Sequence, residues 1–274
     1  MTIDEGIKFG NEKLKNIEDS FTKVKLLMAY CINEDKSFLV THNNQELTQK
    51  QENVFLDGIE KLKNNTPLQY ITGFQDFYGM KFIVNENVLI PRFDTEILVQ
   101  EVLKIAQNDS KILDMCTGSG ILAITINKYV ENSIVYGIDI SNGALEVARE
   151  NNKMNKTNVN FIQSNLFENL NENDFNIIVS NPPYISKNEM NTLSLDVQKE
   201  PELALFGGED GLDFYRKISK DAKRYLKSNG YICFEIGYMQ KEDVVNILKK
   251  ENYTQIKCIK DFNNLDRVVI GKKE

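Results

Sequence analysis

"KILDMCTGSGILAITI", residues Lys111–Ile126, joins an apolar run ending near an acid to a glycine turn and a second apolar run. Ile112–Asp114 reads as a short strand, and a helix is expected from about Gly120. Gly118-Ser119-Gly120 with Ala123 satisfies G-x-G-x-x-G/A, where small residues let a ligand approach the backbone at a helix N-terminus. A tight strand-to-helix turn would by itself account for two glycines. The next strand, expected over Ile134–Asp139, adds weight because Asp139 ends it, 139 − 118 = 21 residues after the first glycine. A carboxylate there can accept both ribose hydroxyls, so an adenosine-type cofactor is expected. NAD and S-adenosylmethionine both fit that ribose. Asp114 tilts the choice to the second, since a carboxylate there would repel a pyrophosphate yet could serve an ammonium, directly or through water.

Working outward, the alternation continues. "NGALEVARENNKMN" reads as a helix, Val159–Gln163 and Ile177–Ser180 as strands, and Tyr231–Glu235 as a strand with a helix after Met239; "RVVI" closes the series. The expected fold is α/β, a doubly wound, mostly parallel Rossmann-like sheet. Residues 1 to about 65 read as a small helical bundle. Phe21, Val24, Leu27 or Met28 and Cys31 recur at helical spacing behind a possible cap at Ser20. Thr48 and Gln51 fit a capping box before Phe55, Ile59 and Leu62, and Asn64-Asn65-Thr66-Pro67 stops that helix. Between bundle and sheet, Lys81–Val84 and Val88–Ile90 suggest a hairpin around Asn85-Glu86-Asn87.

The 274 residues are 41% hydrophobic and 27% charged, ordinary for a globular protein with a sizeable core. The net charge of −7 counts against binding nucleic acid chiefly through phosphates. Cys31, Cys116, Cys233 and Cys258 form no CxxC pair, so free thiols are expected and no metal site. The N-terminal stretch lacks a signal-peptide core and no run would span a bilayer, so a cytoplasmic protein without a membrane partner is expected. His42, the only histidine, reads as an exposed loop residue. Histidine triads and HExxH sites are thereby ruled out, leaving positioning, electrostatics and carboxylates for any catalysis.

The strand Ile177–Ser180 runs into Asn181-Pro182-Pro183-Tyr184. Two prolines lack N–H groups and hold the residues before them extended, so the strand stops and the Pro182 carbonyl is left out of the ladder. With the Asn181 side-chain carbonyl it offers two acceptors for the two hydrogens of an NH₂ group, while Tyr184 offers a flat face. Such contacts would hold a poorly nucleophilic nitrogen in line with a sulfonium methyl and stabilise charge developing on it.

"NPPY" together with "DMCTGSG" and "YGIDISNGALEVARENN" resembles the class I S-adenosylmethionine-dependent amino-methyltransferases. "PLQYITGFQDFYGMKFIVNENVLIPRFDTEILV", "KEPELALFGGEDGLDFYRKI" and "GYICFEIGYMQ" narrow the resemblance, over roughly residues 67 to 270, to the bacterial release-factor glutamine methyltransferases of the HemK/PrmC type. The resemblance implies a helical substrate-recognition domain over 1–70, a linker with a β-hairpin over 71–95 and a methyltransferase domain over 96–274. It implies methylation of the side-chain nitrogen (N5) of the Gly-Gly-Gln glutamine in peptide chain release factors, with S-adenosylhomocysteine as the second product. A monomer is expected. By position, Asp114, Cys116, Thr117, Gly118, Ser119, Gly120, Asp139, Asn165, Leu166 and Asn181 would bind cofactor. Asn181, Pro182, Pro183 and Tyr184 would grip the glutamine amide, with Asn181, Pro182 and Tyr184 as the catalytic group.

Departures from the family pattern fall at Cys116, where glycine is usual, at Phe93-Asp94 in the linker motif, and at Asn165, where an acid commonly meets the adenine amine. Arg92, Thr95 and Glu96 match the linker motif, with packing and salt bridges an equal reading; Glu200-Pro201 and Gly207-Gly208 match a family loop without an assigned role. Two other classes compete: a nucleic-acid amino-methyltransferase acting on adenine or guanine, which NPPY fits equally well, and a nicotinamide dehydrogenase or non-catalytic cofactor-binding module.

Overall fold

The computed structural model describes residues Met1–Glu274 and forms two compact units. The first comprises Met1–Gly73 with Ser194–Lys199; the second comprises Phe74–Leu193 with Glu200–Glu274.

Five helices make the first unit: α1 (Ile3–Lys13), α2 (Ser20–Ile32), α3 (Lys36–Thr41), α4 (Gln49–Lys63) and α5 (Leu68–Thr72). Thr2 with Glu5 and Thr48 with Gln51 form complete capping boxes on α1 and α4. Ser20 is instead the first helical residue of α2, and the left-handed Asp19 before it supplies no side-chain cap. Val24, Leu27 and Met28 bury against Phe55, Ile59 and Leu62, whereas Phe21 is exposed and Cys31 half-buried at the rim. Gly58 makes this packing possible, because a Cβ there would stand 2.7 Å from Leu27.

The second unit opens with a hairpin, β1 (Phe74–Phe77) and β2 (Met80–Ile83), placed earlier than the sequence reading put it. Tyr78 (φ 50°) and Gly79 (φ 72°) both take positive φ, the two-residue turn geometry that matches the twist of paired strands. Val88 and Ile90 are buried but join no sheet; the Ile90 N–H donates to the Glu200 carboxylate at 2.9 Å instead.

Then follow α6 (Thr95–Ile105), β3 (Lys111–Met115), α7 (Ile121–Tyr129), β4 (Ile134–Asp139), α8 (Asn142–Asn155), β5 (Val159–Gln163) and β6 (Phe175–Ser180). The chain continues through two short helices, α9 (Lys187–Met190) and α10 (Glu202–Leu205), to α11 (Asp213–Tyr225), β7 (Leu226–Glu235), α12 (Lys241–Lys250), β8 (Thr254–Lys260) and β9 (Asp266–Lys272). The seven-stranded sheet has the order β5-β4-β3-β6-β7-β9-β8, parallel except for β9, which runs antiparallel to both neighbours. Helices cover both faces of the inner strands, which is why Ile112, Leu113, Ile177, Ile178 and Val179 are all buried and those strands read as apolar runs. Each such aliphatic side chain contributes about 1.5–3 kcal/mol by leaving water. Strand β8 escaped the sequence reading because it is an edge strand, alternately exposed, with Lys257 and Lys260 breaking its apolar pattern. The chain leaves β3 toward β4 on one side while β6 lies on the other, so the crevice above β3 and β6 is the topological switch point.

Candidate active site

Three loops meet at the carboxyl ends of β3, β4 and β6. Their residues line a solvent-open cleft, with Asn87–Leu89, Pro91 and Arg92 on one wall and Pro201, Leu203 and Ala204 on another.

The glycine turn follows β3. Gly118 (φ 54°) and Gly120 (φ 82°) are left-handed. The Cβ position of Gly118 faces open space, whereas at Gly120 it would crowd Ile124, Ala148 and Phe161. Cys116 is also left-handed at φ 61°, a conformation that explains why glycine suits this place and that costs a side-chain residue about 1–2 kcal/mol. Burial pushes its thiol well above the ordinary range, with Asp139 and Asp114 adding repulsion, so it stays a neutral wall of the cleft.

Asp114 lies fully buried beneath this turn. Its Oδ2 accepts from the Thr117 hydroxyl at 2.5 Å and the Ala123 N–H at 3.2 Å, while Oδ1 has no partner. Burial outweighs those bonds and raises the carboxyl to about 7. Asp139 ends β4 half-buried, its two oxygens accepting from the Gly118 N–H (2.8 Å) and the Ser141 N–H (2.9 Å). Each oxygen keeps a lone pair for a further donor. Burial raises this carboxyl too. Asn165 donates its Nδ2 to Glu168 at 2.7 Å, which leaves its Oδ1 as an acceptor beside the cleft, next to Leu166.

Beyond β6 the Asn181-Pro182-Pro183-Tyr184 loop is divided. Asn181 and Pro183 line the cleft; Pro182 and Tyr184 do not. Pro182 is buried and its carbonyl accepts no hydrogen bond within the fold. The half-buried Tyr184 ring packs on the core cluster that includes Leu212 and Tyr215, and its hydroxyl is raised by burial. The Asn181 Nδ2 donates to the buried Thr95 hydroxyl at 3.4 Å.

Several residues without an assigned role in the sequence reading build this site. Gly207 and Gly211 back the loop: a Cβ at Gly207 would stand 2.7 Å from the Pro183 carbonyl oxygen, and one at Gly211 2.4 Å from that of Tyr184. The Ile185 N–H donates to the Leu205 carbonyl and the Gly207 N–H to the Ile185 carbonyl, both at 2.9 Å, and Gln240 Nε2 donates to the Tyr184 carbonyl at 3.0 Å. The buried Glu200 accepts from the Ile90 N–H and pairs with Arg92, fixing the cleft wall between them. Asn151, fully buried in α8, bonds both backbone groups of Ile83 and the Ser119 carbonyl, tying the hairpin to the glycine turn. An asparagine on the apolar stripe Ala144, Val147, Ala148 was the available signal for it. No cluster of three potential metal-ligating side chains is present, and no helix is long and apolar enough to cross a membrane.

Comparison with known proteins places this arrangement. The Methyltransferase small domain model matches residues 92–198 and the PrmC N-terminal domain model matches residues 6–73. A release factor glutamine methyltransferase of Clostridium acetobutylicum is 39% identical over 280 residues, covering 99% of this chain and 98% of the relative. The chain belongs to the release factor glutamine methyltransferase family. A Fusobacterium nucleatum relative of that name is 40% identical over 267 residues, covering 95% of this methyltransferase and 75% of the relative. For fold alone, a methyltransferase structure from Pyrococcus furiosus superposes with a TM-score of 0.55 at 21% identity, over 72% of this chain and 90% of that one.

Proposed function

We propose that this methyltransferase moves the methyl group of S-adenosylmethionine to the side-chain amide nitrogen of the Gly-Gly-Gln glutamine in peptide chain release factors, leaving S-adenosylhomocysteine. The observation that carries the reading is Asn181 lining the cleft beside a Pro182 carbonyl that nothing in the fold occupies.

The cleft fits the cofactor. The unpartnered, buried Asp114 Oδ1 suits an ammonium group, and the free lone pairs of Asp139 suit two ribose hydroxyls. Asn165 Oδ1 is left to accept from an adenine amine. Cys116, Thr117, Gly118, Ser119 and Leu166 supply the remaining wall, while Gly120, which does not line the cleft, shapes the turn through its left-handed backbone. When bound, the cofactor supplies a sulfonium-activated methyl group.

This chain's part is to hold the acceptor. A glutamine amide nitrogen shares its lone pair with its carbonyl and attacks poorly. Hydrogen bonds from its two hydrogens to Asn181 Oδ1 and the Pro182 carbonyl fix its position and stabilise positive charge gathering on it. Pro183 lines the approach, and Tyr184 braces the loop from behind. The surplus proton leaves to water after transfer, so no strong base is required, in keeping with a site without histidine. The first unit would recognise the factor, and a cytoplasmic monomer is the working state.

Mass spectrometry of an intact release factor after incubation with enzyme and S-adenosylmethionine tests the reading. A gain of one methyl on the Gly-Gly-Gln glutamine is expected. Labelled methyl appearing in ribosomal RNA and not in the factor would instead favour the nucleic-acid reading.

A further inference from the structure

The carboxyl end of β7 holds a buried acid that the site described so far does not use. Glu235 follows Phe234, which pairs in register with Ser180, so Glu235 stands beside Asn181 at the top of the adjacent strand. It is almost wholly buried, and its Oε2 has no hydrogen-bond partner. The Thr95 hydroxyl, fully buried at the start of α6, receives the Asn181 Nδ2 at 3.4 Å and lies near enough to this carboxylate to favour its ionised form.

We propose that Glu235 is a positioning residue for methyl transfer, acting through Thr95 to set which end of the Asn181 amide meets the acceptor nitrogen. The inference rests on the acceptor reading above for its catalytic consequence, though not for its structural content.

A hydroxyl has one proton to give. An ionised Glu235 accepts only, so it takes the Thr95 proton and leaves the Thr95 lone pairs facing Asn181. Asn181 must then offer its NH₂ to Thr95, which leaves Oδ1 for the NH₂ of the substrate. A protonated Glu235 can donate to Thr95 instead. The Thr95 proton is then free to turn to the Asn181 carbonyl, and the amide presents NH₂ where a carbonyl is wanted. Two donors would face each other, and the acceptor would lose its anchor.

Charged and titratable groups surround Glu235 from every packed element. Arg267 on β9, held by Asp261 and Asp94, favours the ionised form, as does Arg92; Asp94 itself opposes it. Tyr184, after β6, feels the Glu235 charge, as does Tyr215 on α11, whose hydroxyl donates to the Glu235 backbone carbonyl at 2.9 Å. Burial dominates this set and brings the carboxyl to about 7, within reach of ordinary buffers.

The test uses the full chain with S-adenosylmethionine. In ¹⁵N spectra, the Asn181 side-chain NH₂ signals, assigned by their loss in Asn181→Ala, are expected to shift through a midpoint near 7 in the wild type. They should stay fixed in Glu235→Gln and in Thr95→Val. With a release factor as acceptor and saturating cofactor, wild-type kcat should rise through the same window. Glu235→Gln should flatten that profile and lower kcat about 10- to 100-fold at pH 8, as expected for a misplaced anchor. Its cofactor affinity should hold, and Thr95→Ser should keep most activity where Thr95→Val does not. Asn181 signals that ignore pH in the wild type, or that titrate alike in Glu235→Gln, overturn the inference. Should Glu235→Gln fail to fold, the Thr95→Ser and Thr95→Val pair decides by the same spectra. A wild type that methylates no release factor refutes the acceptor reading, and the spectra still decide the positioning role.

Discussion

The proposed cofactor end and the proposed acceptor end of the cleft solve one problem in opposite ways. At the first, Asp114 is the penultimate residue of β3, and the Thr117 hydroxyl three residues later donates directly to it. At the second, Glu235 ends β7, and a threonine from a distant element, Thr95, stands between it and Asn181, the residue proposed to hold the acceptor. Both carboxyls are raised to about 7 by burial, and both leave one oxygen unpartnered. Asp114 lies beneath the glycine turn, and its unpartnered oxygen is the one proposed to meet the ammonium of the cofactor. Glu235 lies a residue removed and is read through a hydroxyl. A buried acid can therefore bind or orient, depending on whether a neutral side chain intervenes.

The contrast breaks most visibly at Asn181. Asn181→Ala should lower kcat at least about 100-fold, the loss typical of removing one contact that stabilises developing charge, with S-adenosylmethionine affinity intact by calorimetry. Equal turnover in that variant would sink the amide-gripping mechanism. Asp114→Asn should do the reverse: weaker cofactor binding by about 10- to 100-fold, the worth of a charged hydrogen bond at roughly 1.5–3 kcal/mol, with little loss of kcat at saturation.

Stability gives the next largest effect. Between the ordinary carboxyl values of 3.8 and 4.5 and the folded values of about 7, the folded chain keeps protons on Asp114 and Glu235 that the unfolded chain has released. Stability without cofactor should therefore fall as pH rises from 5 to 7 and level off above. The loss should reach a few kcal/mol, since each tenfold difference in proton affinity between folded and unfolded chain is worth about 1.4 kcal/mol. Thermal melts of wild type and Asp114→Asn/Glu235→Gln should diverge as pH rises; parallel melts would remove both acids as buried titrating groups. Gly207→Ala should cost about 1–3 kcal/mol by pressing the Pro183 carbonyl, measured by urea unfolding. Cys116→Gly is the smallest, within about 1 kcal/mol, since relief of the left-handed backbone offsets the lost side-chain packing.

The two ends also differed in how plainly the sequence announced them. The glycine turn and Asp139 lie on consecutive strand ends, so local spacing was enough to bring them together, and strands β4 and β5 and helix α8 fall where periodicity placed them. Asn181 was legible because prolines mark their own strand end. Glu235 and Thr95 were not, since their meeting depends on β7 pairing with β6 and on α6 starting beside them, neither of which has a local signature. The hairpin was misplaced for a related reason. Asn85-Glu86-Asn87 looked like a turn, while the true turn is Tyr78-Gly79, where an aromatic residue takes a conformation more often given to asparagine. Glu200 and the Gly207–Gly211 strip show their purpose only once the loop they hold is in place.

Asn151 carries one more consequence, for the order in which the chain becomes a protein. Its partners Ile83 and Ser119 lie 68 and 32 residues earlier, so neither the hairpin's end nor the glycine turn has its tie until α8 has been synthesised. A nascent chain that has passed the glycine motif thus lacks this fastening, and the loops over those distances have still to close. The tie between the hairpin's end and the glycine turn can form only once residue 151 has been added to the chain.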